Sequence, residues 1–339
     1  MLSKSNNFFY NNIFYFLFFI FFVSGITIFS DYGISIDEEF QRYSGFYWLN
    51  YALQFTPFET FKLNVFDKLN NIDGFTLPLP EDYPFYGITF DLPAALLETI
   101  FNIQEPKSYF LFRHILTFSI FFIGSIYFYK ILTNRFKQKS IIILGLLIYI
   151  SAPRIFGDSF YNNKDIIFLS FVTISMYYNF RLIDNFSYKN ILYFSFFSAL
   201  SCASRIFGIF LPLSFLLFKF FSFLNKKIYD GEIKKILLFI ISFLLFFYML
   251  WPFIWEAPFK NFLISLNKFS NFDFQIYMLF NGNYVLTTFL PLSYLPIWVL
   301  ITTPIITSAT FLIGLVYFVK KFFLRSINIK KISIHEDFW

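Results

Sequence analysis

The sequence is short of the residues that carry metal and redox chemistry: among 339 residues there is one cysteine, Cys202, and two histidines, His114 and His335. A single cysteine excludes an intrachain disulfide and any cysteine-based metal cluster. The histidines lie far apart and show no zinc-like spacing. No cofactor is therefore expected; a divalent metal is compatible with the carboxylates, but nothing indicates one. Charge is scarce too, at 14% of residues, against roughly 25% in a soluble domain. Hydrophobic residues make up 57%, and the mean hydropathy is +0.60. No soluble core needs that much apolar surface, whereas a bilayer accepts it on every helix. The net charge is +6, but the basic residues stand in short clusters between apolar runs. That is the pattern of cytoplasmic loops, not of a nucleic-acid surface. The 59 phenylalanines accompany abundant Ile, Tyr, Asn and Lys, a bias typical of AT-rich codons, so no single Phe marks a site.

Apolar runs of about 20 residues mark membrane-crossing helices. Eight are predicted, at about 12–30, 110–133, 140–157, 165–183, 190–205, 206–224, 236–254 and 294–320. The fold class expected is an all-α polytopic membrane protein with about eight transmembrane helices. The run Ile191–Leu224 is too long for one span and is divided at Arg205–Gly208, where a charge and a glycine interrupt it. Arg135, Lys137 and Lys139 form one basic cluster, and Arg181 with Lys189 a second. Lys226, Lys227, Lys234 and Lys235 form a third, and Lys320, Lys321 and Arg325 a fourth. All four fall on the same side as Lys4 if the chain crosses eight times, which puts both termini in the cytoplasm. The first run is expected to stay as a span, since Lys4 is its only preceding cation and no A-x-A site follows. Residues 1–325 then form one transmembrane domain, and residues 326–339 a short cytoplasmic tail.

The opposite side receives outer loops 31–109, 152–164 and 255–293. The first holds 12 of the 21 acidic residues against four basic ones. Within it, Phe46–Phe55 is helix-like and aromatic, and Pro78, Pro80 and Pro84 mark a turn-rich strip. Asp91–Asn102 has the pattern of an amphipathic helix lying flat at the interface.

Three clusters carry polar chemistry. Asp37, Glu38, Glu39 and Arg42 follow the first span directly. Adjacent carboxylates repel, and apolar surroundings desolvate them; both raise a carboxylate pKa toward that of a general base. On a helix, Arg42 would pair with Glu38 or Glu39 and leave Asp37 free. The plainer reading is that these charges anchor the end of the first span at the headgroups. The second cluster runs from Pro153 to Asp165. Arg154 and Lys164 suit a phosphate, and Asp158 a sugar hydroxyl or a metal ion. Snorkelling of the two cations, with Asp165 capping the next helix, explains the same residues equally well. The third feature is Arg205, a cation inside a long apolar run, where a partner, a cavity or an anionic lipid phosphate is the usual reason; snorkelling is again the plain alternative.

These stretches resemble one superfamily, the C-type glycosyltransferases that use polyprenyl-phosphate sugars. The likeness is to the bacterial branch related to protein O-mannosyltransferases and lipid A aminoarabinose transferases. It rests on Gly33 through Arg42, Pro153 through Asp165 and Ala203 through Gly208. The strip from Phe280 through Tyr294, ending in Thr302-Thr303-Pro304, adds to it. The resemblance implies Asp37 as catalytic base with Glu38 beside it, and Asp158, with Asp165 as its substitute, as the second-loop acid. It implies donor-phosphate contacts from Arg205 and Lys164, with Arg154 and Arg42 as further candidates. It implies inverting transfer of a sugar to a lipid, glycan or protein acceptor at the outer face of a bacterial inner membrane. Members of that family usually continue through further spans, so a partner chain is a possible complement here. A lipid or solute transporter, or a non-catalytic scaffold of the same fold, are the alternatives. Transporters tend to show internal repeats and ionisable groups in mid-span, whereas here the ionisable groups gather in loops.

Overall fold

The computed structural model describes residues 2–72, 81–224, 230–271 and 275–327. Within these the chain forms fourteen α-helices and one two-stranded hairpin. In order these are α1 (Leu2–Ile28), α2 (Glu38–Leu53), α3 (Glu59–Asn70), α4 (Asp91–Ile100) and α5 (Pro106–Arg135). Next come α6 (Lys139–Ser151), α7 (Pro153–Tyr161), α8 (Asp165–Asp184), α9 (Tyr188–Ser204), α10 (Phe210–Leu224) and α11 (Asp230–Met249). After α12 (Pro258–Ser270) come strands β1 (Tyr277–Phe280) and β2 (Asn283–Leu286), then α13 (Tyr294–Thr302) and α14 (Ile305–Ile327). Pro78, Pro80 and the tail beyond Ile327 lie outside the described residues.

The chain is a multi-pass helical membrane protein. Four helical segments, Asn12–Asp31, Pro106–Arg135, Asp165–Asp184 and Ile206–Leu224, are long and apolar enough to cross a bilayer. Two bent pairs, α6 with α7 and α13 with α14, bring the number to as many as six if each pair is one span. Every apolar run of the sequence holds a helix, but α9 has only 17 residues, about 25 Å. The first turns of α11 carry Glu232, Lys234 and Lys235.

Proline and small residues set the breaks. Pro106, Pro153 and Pro258 occupy the first turns of α5, α7 and α12, where a missing N–H costs nothing and φ is already helical. The stretch expected to open an outer loop at residue 152 is instead a second helix. Ala152 is non-helical at ψ 117° before Pro153, as the residue preceding a proline tends to be, and α7 leaves α6 at 51°. Likewise, the span expected over 294–320 is two helices that meet at 114° across Thr303-Pro304. Nine-residue α13 is about 14 Å long, too short to cross alone. The expected break in Ile191–Leu224 is present: α9 ends at Ser204 and a short 3-10 turn, Ile206–Ile209, leads into α10. Asn281 and Gly282, with φ of 50° and 81°, turn the β1–β2 hairpin, the positive-φ pair that an Asn-Gly turn favours.

The bundle has two main aromatic cores. Phe21, Phe118, Phe121, Tyr149 and Phe160 join α1, α5, α6 and α7; Phe118 stacks on Phe160 at 5.3 Å. Phe194, Phe215, Phe239, Phe243 and Phe247 join α9, α10 and α11, and Phe194 stacks on Phe239 at 5.2 Å. Serines stitch the helices between them. Ser198 meets Ser175 at 2.8 Å, and Ser242 donates to Ser195 at 2.8 Å, the small-polar contact that brings helices close in lipid.

A separate layer caps one end of this bundle. Phe46, Leu49, Leu53, Val65 and Ala95 tie α2, α3 and α4 into one small core. Helix α4, the expected amphipathic helix of this loop, packs into the layer, with Asp91, Ala94, Ala95, Glu98 and Thr99 buried. Gly45 allows this, because a Cβ there would collide with the Asp91 carbonyl of α4.

Candidate functional site

The cap and the bundle meet where the ends of α1, α5, α8 and α9 come together. The chain leaves α1 through a 3-10 turn and reaches Asp37, which stands before the first turn of α2 with αR backbone and no side-chain capping bond. Asp37 is exposed. Its neighbour Glu38 points the other way and is 1% exposed. The Glu38 carboxylate accepts from the Ser35 backbone N–H at 2.7 Å and faces His114 Nε2 on α5 at 3.0 Å. The other His114 nitrogen lies 3.4 Å from the Phe29 carbonyl. Glu38 thus clamps the turn that presents Asp37; adjacent acids have opposite surroundings because the helix begins between them.

Arg42 does not pair with Glu38 or Glu39. One and two turns further along, α2 presses against α4, and the Arg42 guanidinium meets Glu98 through Nη2 and through Nε at 3.1 and 3.2 Å. It also stacks on Tyr109 at 3.6 Å. Arg113 of α5 reaches the same Glu98 at 3.5 Å and Asp91 at 3.9 Å. The result is a buried, charge-balanced network linking α2, α4 and α5.

Lys164 lies in the short turn before α8. Its ammonium sits 3.6 Å from the centre of the Tyr86 ring. Burial pushes the Lys164 pKa down to about 8; Arg205 adds to this, and Asp91, Asp37 and Asp165 oppose it. Arg205 follows the last turn of α9 and pairs with Asp165, while its Nε is buried with no hydrogen-bond partner. The Tyr86 hydroxyl is held above its ordinary value by burial, with Arg205 acting against that and Asp37 in favour. Beneath them Asn163 donates to Asp91 at 3.5 Å. Burial pushes the Asp91 carboxyl up to about 6 against the pull of Arg113 and Lys164. Gly87 makes the approach possible, since a Cβ there would overlap the Ala203 carbonyl; alongside it, Thr89 and Ser204 hydroxyls meet at 2.6 Å.

The structure therefore brings Lys164 and Tyr86 each within electrostatic reach of both Asp37 and Arg205, with Asp165 beside Arg205. It does not bring in Arg154 or Asp158. These two face each other on α7 at 3.8 Å, with Arg154 64% exposed, and Tyr161 donates to Asp158 at 3.0 Å. Nor does Asp165 cap α8: Asn162 Oδ1 accepts from the Asp165 N–H at 2.9 Å, leaving the Asp165 carboxylate for Arg205. Among the described residues, no three His, Cys, Asp or Glu side chains gather as a metal site. Sequence reasoning passed over Arg113 and His114 as site residues, although adjacent ionisable residues inside an apolar run signal a buried role by the argument applied to Arg205. No feature of the sequence marks Tyr86 or Glu98, whose partners are distant in the chain. No protein-family model, curated protein or solved structure matches the chain.

Proposed function

We propose that this chain is a membrane glycosyltransferase of the C type. It crosses the membrane eight times with both termini in the cytoplasm, and transfers a sugar from a polyprenyl phosphate to an acceptor hydroxyl at the outer face. One observation carries the reading: an exposed carboxylate, Asp37, shares a membrane-edge site with two cations, Lys164 and Arg205, drawn from three separate segments of the chain. A phosphate leaving group needs positive charge rather than a proton donor, and an attacking hydroxyl needs a base within reach. In the proposed step the acceptor oxygen attacks the anomeric carbon and its proton passes to Asp37. The bond from that carbon to the phosphate oxygen breaks, and its electron pair leaves on the polyprenyl phosphate beside Lys164 and Arg205. Attack opposite the leaving group inverts the anomeric centre. Asp165, partner of Arg205, takes the role of the second-loop acid that the resemblance gave first to Asp158. Glu38 serves as the clamp of the Asp37 turn.

The test is sugar transfer by the purified chain, with a donor identified by mass spectrometry of lipid-linked sugars accumulating in a deletion strain. Asp37→Asn is expected to lower the transfer rate about 10²–10⁴-fold, the usual contribution of a general base, with thermal stability unchanged. Undiminished transfer by that variant would sink the assignment. Substrate crossing liposomes without product would favour the transporter reading.

A further inference from the structure

Beside the Arg42–Glu98 contact, a cleft of about 1,260 Å³ opens between α2, α3, the end of α4 and the turn entering α5. That exceeds the roughly 300–1,000 Å³ of common small-molecule pockets. Its cations are already occupied: Arg42 is held by Glu98, and Lys68 donates to the Ile103 carbonyl at 2.6 Å. The lining side chains with no hydrogen bond among the described residues include Glu39, Asn64, Asp67 and Asn71. Two carboxylates would repel an anion. Carboxylates and amides together accept from and donate to hydroxyls, while Phe40 and Phe61 offer ring faces in the same wall. Its lining includes Ile34, Glu39 and Phe40, which flank Asp37 in the chain. Phe40 is also shared with the site, since its ring packs edge-on against Tyr86 at 6.3 Å.

We propose that this cleft holds the acceptor, and that the acceptor is an uncharged saccharide presenting one hydroxyl past the rim to Asp37. The assignment of the cleft to an acceptor rests on the transferase reading; the recognition of a neutral polyol does not. Saturation-transfer NMR on the detergent-solubilised full chain tests it, with methyl glycosides of glucose, galactose, mannose and N-acetylglucosamine as probes. At least one glycoside is expected to receive saturation. Asn64→Leu and Asn71→Leu, both at exposed positions, are each expected to weaken its binding about two- to tenfold, as loss of one or two hydrogen bonds would. Asp37→Asn is expected to leave that binding intact while lowering transfer about 10²–10⁴-fold. Failure of all four glycosides to bind, or binding indifferent to both cleft substitutions, overturns the cleft. Cleft-dependent binding with undiminished transfer by Asp37→Asn would instead overturn the base and spare the cleft.

Discussion

Two groups of charges lie where the cap meets the bundle, and their surroundings differ in kind. Arg42, Glu98, Arg113 and Asp91 face one another in the interior, with Glu98 and Arg113 fully buried. Asp37, Lys164, Arg205 and Asp165 combine the same residue chemistry, but Asp37 and Asp165 are exposed and Arg205 is half-exposed. The first group is closed on itself and holds three helices together. The second remains open to an approaching molecule, because Asp37 and Asp165 reach solvent. Charge in a membrane protein is not by itself a sign of chemistry; whether the charged group stays open to solvent decides between scaffold and site.

The comparison can be broken most forcefully at Glu98. Glu98→Gln leaves two arginines facing each other without their shared anion, and the expected cost is about 3–5 kcal/mol of stability, as for a buried pair losing one partner. Thermal unfolding in detergent would show it, and an unchanged midpoint would remove the scaffold role. At the open group, Arg205→Ala should leave the midpoint nearly alone. It should raise the KM for the lipid donor about tenfold or more, as loss of a charge-assisted phosphate contact of roughly 1.5–3 kcal/mol would. A change in stability without a change in KM would reverse the two roles.

A subtler separation comes from pH. Lys164 loses its proton as the pH rises through about 8, so donor binding should weaken above that point and recover below it. Lys164→Arg, whose guanidinium stays protonated throughout, should abolish that alkaline limb in a KM–pH profile. Persistence of the limb would assign it to another group. The smallest effect is expected at Arg154. Its exposed pairing with Asp158 resembles surface ion pairs worth about 0–1 kcal/mol, and Arg154→Ala should change neither stability nor donor KM appreciably. A large rise in KM would return α7 to the site.

Much of the helical layout was legible from apolar run length, because a bilayer demands long unbroken apolar segments and leaves few alternatives. The break at Arg205–Gly208 could be read the same way, since a charge and a glycine interrupt one run. The bends at Ala152-Pro153 and Thr303-Pro304 were harder. Proline marks where a helix changes, but the angle, 51° in one case and 114° in the other, depends on what each half packs against. Within the polar motif, the sequence showed three adjacent acids without showing which was free. Their fates diverged because α2 starts at Glu38, turning Glu38 inward toward His114 and leaving Asp37 out.

Taken alone, the sequence determined that this is a multi-pass membrane protein, where its apolar helices run, and that its ionisable groups concentrate between them. Those are properties of composition and of neighbouring residues. Tertiary structure alone decided that Arg42 belongs to Glu98 and that Asp165, not Asp158, meets Arg205. It also set Lys164 over Tyr86 beside Asp37. Each of these pairings joins groups from different segments, and close approaches such as those permitted at Gly45, against Asp91, and Gly87, against Ala203, help bring the cap onto the bundle.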